Sequence, residues 1–61
     1  MPRKSREKRI QDTKDAIDMW TNNGLGNDYQ VRFMNDMLYR LNTGRSISSK
    51  QRNWLDSLHA D

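Results

Sequence analysis

The sequence predicts an all-α fold, a small three-helix bundle, and three observations carry that expectation. Apolar residues recur at helical spacing in three separate stretches. Two breaks rich in Asn and Gly divide those stretches. The middle stretch is apolar over too wide an arc to rest on a single neighbour. In Tyr29 to Leu41 the side chains of Tyr29, Val31, Phe33, Met34, Met37, Leu38 and Leu41 spread over roughly 200° of one helix, about twice the stripe of an ordinary surface helix. Such a helix is expected to be covered on two sides, by one helix before it and one after.

Residues 1–4 form a basic tip, expected to be disordered because nothing after Met1 can be buried. Residues 5–61 form the single domain. Helix 1 is predicted over about 5–21, with Ser5 as N-cap and Ile10, Thr13, Ala16, Ile17 and Trp20 along one stripe. Asp12, Asp15 and Asp18 take the other side. Asn22 to Asn27 ends that helix, since Gly24 and Asn23 tolerate left-handed backbone angles.

Helix 2 is predicted over 28–42, capped by Asn27 with Gln30 placed to complete a capping box, and closed by Gly44. Arg45-Ser46-Ile47 is a short link whose Ile47 plugs the helix junction. Helix 3, over 49–59, opens on the capping box Ser48-Ser49-Lys50-Gln51 and directs Trp54, Leu55 and Leu58 at helix 2; His59 to Asp61 is expected to fray. The predicted core is Ile17, Trp20, Phe33, Met37, Leu38, Leu41, Ile47, Trp54, Leu55 and Leu58.

Sixty-one residues, no cysteine and one histidine leave side-chain packing as the only fastening, with a stability of about a few kcal/mol expected. The absence of cysteine fits a cytoplasmic setting. No apolar run approaches the length of a signal-peptide core or a membrane span, so a soluble, unexported chain without membrane contact is expected. The net charge of +3 is uneven: residues 1–9 carry +4 and the remainder −1. Basicity therefore belongs to the N-terminal tip, which bears on the choice of partner.

Little here supports catalysis. The single histidine lies at the far C-terminus, no Ser/His/Asp or Cys/His set is in reach, and so small a chain has no room for an enclosing pocket. Neither metal nor cofactor is expected, because carboxylates at positions 12, 15 and 18 on an open helix face read as a solvated acidic surface. Arg3, Lys4, Arg6, Lys8 and Arg9 place five cations in seven residues, a pattern suited to phosphate contact. Arg45, Lys50 and Arg52 bracket the second link beside the N-terminal amides of helix 3 and form a second candidate anion patch. Trp54 lies at the edge of its stripe beside Lys50 and Ser57, which leaves part of its ring accessible. Tyr39 falls on the polar side of helix 2, with Arg32, Asn35 and Asp36 nearby, where it can stack on a base or anchor a protein.

Phe33-Met34-Asn35-Asp36-Met37-Leu38, followed by Gly44 and then Ile47-Ser48-Ser49-Lys50-Gln51 and the apolar residues Trp54, Leu55 and Leu58, resembles a pattern in bacteriophage proteins. It is similar to small helical proteins of T4-like phages encoded beside a recombination helicase. The match covers about residues 30–58 and leaves helix 1 and the basic tip without a counterpart. The resemblance implies a phage origin and a setting in DNA replication, repair or recombination, and it implies no catalytic residue.

The leading expectation is thus a phage-type helical binding module, not an enzyme, acting on or beside nucleic acid through non-specific electrostatic contacts in the host cytoplasm. The alternative is an adaptor or inhibitor that docks on a host or phage enzyme through an exposed surface of Tyr39, Met19, Met34 and Arg32. A homodimer burying surplus apolar surface of helix 2 is a third possibility.

Overall fold

The computed structural model describes residues 4–59. Three helices follow one another, α1 (Arg6–Asn22), α2 (Tyr29–Asn42) and α3 (Ser49–Ser57). They agree with the predicted elements to within about two residues, the ordinary fuzziness of helix ends. The apolar pattern of α2 is answered as expected, with α1 packed on one side of it and α3 on another.

The helix ends follow from local chemistry. The Ser5 hydroxyl accepts from the Lys8 amide at 3.1 Å and starts α1. At its other end the Gly24 amide bonds the Thr21 carbonyl, and the Leu25 amide reaches back to that of Trp20. This paired closure is the Schellman motif, and it needs Gly24 at φ 80°. α2 ends identically: Gly44, also at φ 80°, bonds Leu41, and the Arg45 amide bonds the Arg40 carbonyl at 2.9 Å. The cap of α2 is one residue later than predicted. Asp28, not Asn27, receives the Gln30 amide at 2.8 Å, and its carboxylate adds a favourable charge at the positive helix end. In α3 both halves of the Ser48–Gln51 capping box form.

Ala16, Val31, Met34, Met37, Leu41 and Leu55 are buried, with Ile10, Ile17, Trp20, Phe33, Ile47 and Leu58 packed half-buried around them. Met34 corrects the expectation of an exposed interface residue: it is 0% exposed. Met37, Leu41 and Met34 lie along the middle of the α2 arc, which the two flanking helices cover, and Val31 at one edge is buried as well. The opposite edge, at Tyr29, stays wet. Tyr29 is 66% exposed, and on α3 Trp54, a predicted core residue with part of its ring expected to be accessible, is 41% exposed.

Two expectations about the termini also change. Lys4, assigned to a disordered tip, is half-buried and held by side-chain contacts described below; residues 1–3 lie outside the described residues. His59, expected to fray, is buried. It sits four residues after Leu55, so it continues the buried face of α3 one turn beyond the helix.

Leu55 is the one fully buried side chain that α3 contributes. Leu55→Ala should cost about 2–5 kcal/mol, comparable with the whole stability of so small a domain. A urea titration followed by circular dichroism is expected to show the variant largely unfolded in buffer.

Candidate anion-binding cleft

α1 meets α3 through polar side chains. Arg9, one turn into α1, donates from Nε and Nη2 to the two carboxylate oxygens of Asp56, at 2.8 and 3.0 Å. This forked pair is partly shielded from water and therefore stronger than a surface ion pair. Beside it the Thr13 hydroxyl, which is buried, donates to the Arg9 carbonyl at 2.7 Å. Having given its only proton there, Thr13 accepts from His59 Nε2 at 2.9 Å. The other ring nitrogen, Nδ1, accepts from the Lys4 ammonium at 2.9 Å. A ring that carries hydrogen on Nε2 meets both contacts, and Asp56 Oδ1 lies 3.7 Å from Nδ1.

Lys4 also reaches Asp12 Oδ2 at 2.8 Å, while Lys8 meets Oδ1 at 3.0 Å across one helical turn. Asp12, expected on an open acidic face, is buried under these two cations. Hydrogen bonding from Lys4, then from Lys8, holds its carboxyl well below the usual range, at about 2. Arg9 depresses the Asp56 carboxyl in the same direction.

Arg6 makes the third fastening. Its Nε donates to the Leu41 carbonyl at 3.1 Å and its Nη2 to the Arg45 carbonyl at 2.9 Å, so the start of α1 is latched to the end of α2. A cation at a helix C-terminus is favoured by the helix dipole. Carbonyls carry no net charge, however, so the positive charge of Arg6 is solvated by them and not neutralised.

These fastenings build a cleft of about 190 Å³ lined by Arg6, Arg9, Leu41, Arg45, Ser46, Ile47 and Arg52. The two cationic patches read from the sequence thus contribute to one site. Arg9 is neutralised by Asp56. Arg6, Arg45 and Arg52 form no ion pair among the described residues, which leaves an excess of positive charge around one opening. The Arg45 guanidinium also lies 5.9 Å from the centroid of the Tyr39 ring, within cation–π range.

The remaining predicted cations are placed elsewhere. Lys4 and Lys8 face Asp12, Lys50 is exposed on α3 away from the cleft lining, and Arg3 lies outside the described residues. Among the candidate interface residues, Tyr39, Met19 and Arg32 are exposed. Sequence reasoning missed Asp12, Thr13, Asp56 and His59 as a connected set. Two signals for it were present: Asp12 stands four residues after Lys8, and His59 four after Leu55.

Among the described residues no group of His, Cys, Asp or Glu is arranged to hold a metal ion, and no helix is long and apolar enough to cross a membrane. Comparison with protein-family models, curated proteins and solved structures finds no match to the chain.

The two depressed carboxyls make stability depend on acid. A folded-state pKa below the unfolded value contributes stability that is complete above the unfolded pKa and is lost as pH falls through the folded one. For Asp12 that window runs from 3.8 down to about 2. Thermal melts should therefore show a flat Tm above roughly pH 5 and a decline below roughly pH 4, with a shallower decline in Asp12→Asn. Arg9→Ala removes the forked partner of Asp56 and should cost about 2 kcal/mol near neutral pH, read by urea denaturation.

Proposed function

We propose that the chain is a small helical module that attaches to nucleic acid through phosphates held in the arginine cleft. The observation that carries this reading is the convergence of Arg6, Arg45 and Arg52, none of them ion-paired among the described residues, on one opening. Guanidinium groups present donors in a planar fork that matches phosphate oxygens, and each phosphate neutralised releases counterions. Binding of this kind is weak, tolerant of sequence and sensitive to salt. The resemblance of residues 30–58 to helical proteins of T4-like phages supports a setting in DNA replication, repair or recombination within the host cytoplasm.

A second reading, a protein-binding adaptor, is favoured by one feature: Tyr39 is 57% exposed with the Arg45 guanidinium over its ring. An aromatic paired with arginine is a common anchor at protein interfaces.

Arg6 and Arg9 latch helices together, so charge reversal there would confound binding with unfolding. Arg45 and Arg52 are the better probes. Three arginines on three phosphates predict that affinity for duplex DNA falls roughly fortyfold between about 50 and 200 mM salt. Arg52→Glu should abolish most of that binding and flatten the salt dependence, while Tyr39→Ala leaves it unchanged. Fluorescence anisotropy with labelled DNA measures both, and salt-independent binding or an indifferent Arg52→Glu would sink the reading.

A further inference from the structure

A second surface on the molecule is built differently from the cleft. Phe33 of α2 and Trp54 of α3 stack with ring centroids 4.0 Å apart and planes inclined by 23°. Tyr29, one turn before Phe33, brings its ring to 6.4 Å from that of Trp54, tilted by 46°. Packing on Phe33 holds the indole in place, yet Trp54 and Tyr29 both remain exposed. Trp54 lies about 200° around α3 from Arg52, so this ledge is separate from the cleft.

The rim of the ledge is cationic and polar. Arg32 stands three residues after Tyr29 and Lys50 four residues before Trp54, each on the same helical face as its aromatic neighbour. Neither forms an ion pair among the described residues. Asp28 and Asp36 each stand four residues from Arg32: Asp28 Oδ1 accepts from the Gln30 amide at the start of α2, and Asp36 pairs with Arg40 at 3.3 Å. An apolar protein helix would meet a poorly matched rim here. A base with a phosphate on either side would meet flat π-faces flanked by cations.

We infer that the Tyr29–Phe33–Trp54 ledge stacks an unpaired nucleobase, with Arg32 and Lys50 beside the flanking phosphates, so that the protein prefers single strands to duplex. This rests on the nucleic-acid reading above and adds to it the class of strand. Bases inside a duplex present no free face, whereas those of a single strand stack on aromatic side chains with little regard to sequence.

The test compares three labelled probes of about 12 units at one low salt concentration: oligothymidylate, an abasic strand with the same phosphates, and a duplex. Oligothymidylate is expected to bind at least about fivefold more tightly than the abasic strand, and Tyr29→Ala to reduce that advantage. Tyr29 is exposed enough for its loss to leave the fold intact. In the wild-type protein the Trp54 indole N–H resonance should shift with oligothymidylate and stay in place with the abasic strand. Equal binding of the two strands with an unmoved indole overturns the inference, leaves phosphate attachment standing and hands the ledge to a protein partner. Binding to none of the three probes overturns both this inference and the nucleic-acid reading.

Discussion

The forked ion pair between Arg9 and Asp56 is the contact on which the architecture depends. α3 is nine residues long, too short to persist without tertiary support. Leu55 anchors it to the core, but one buried leucine does not define how a short helix lies. Arg9 does, because a bidentate guanidinium–carboxylate contact fixes orientation as well as distance. Thr13 and His59 continue the same seam, and Lys4 closes it at the C-terminal end. Helices α1 and α3 are thus joined by polar side chains, while each is joined to α2 mainly by apolar ones.

That division has an electrostatic consequence. The first turns of α1 carry cations where the helix dipole disfavours them. Tertiary contacts offset the cost: Lys4 and Lys8 cover Asp12, Arg9 meets Asp56, and Arg6 crosses to carbonyls at the end of α2. The basic run is therefore part of the fold, and its placement of Arg6 beside Arg45 and Arg52 is what gives the cleft its charge. One set of side chains both closes the bundle and shapes the proposed phosphate site.

The cleft and the aromatic ledge differ in the partner chemistry they suit. In the cleft, guanidinium groups surround an opening and favour an anion. The ledge presents rings already ordered against one another, so little conformational entropy is lost when a planar group settles on them. A nucleic acid offers both chemistries in one molecule, phosphate and base, which is why the two surfaces are read together.

Local signals in the sequence carried the helices, both glycine closures, the Ser48–Gln51 box and the broad apolar face of α2. Each depends on neighbours within about four residues, where side-chain and backbone preferences act directly. The choice of Asp28 over Asn27 as cap was beyond such signals, because two good capping residues stood side by side. The burial of Met34 and the ordering of His59 and Lys4 lay beyond local signals for another reason. Lys4 meets His59 across 55 residues and His59 meets Thr13 across 46, while Met34 is buried in the apolar core that the three helices share. Composition and periodicity alone determined three helices around a central one and a cationic surplus near the N-terminus. Only the tertiary structure decided which cations are neutralised and which converge on one cleft, because ion pairing depends on distances across helices that no local spacing encodes.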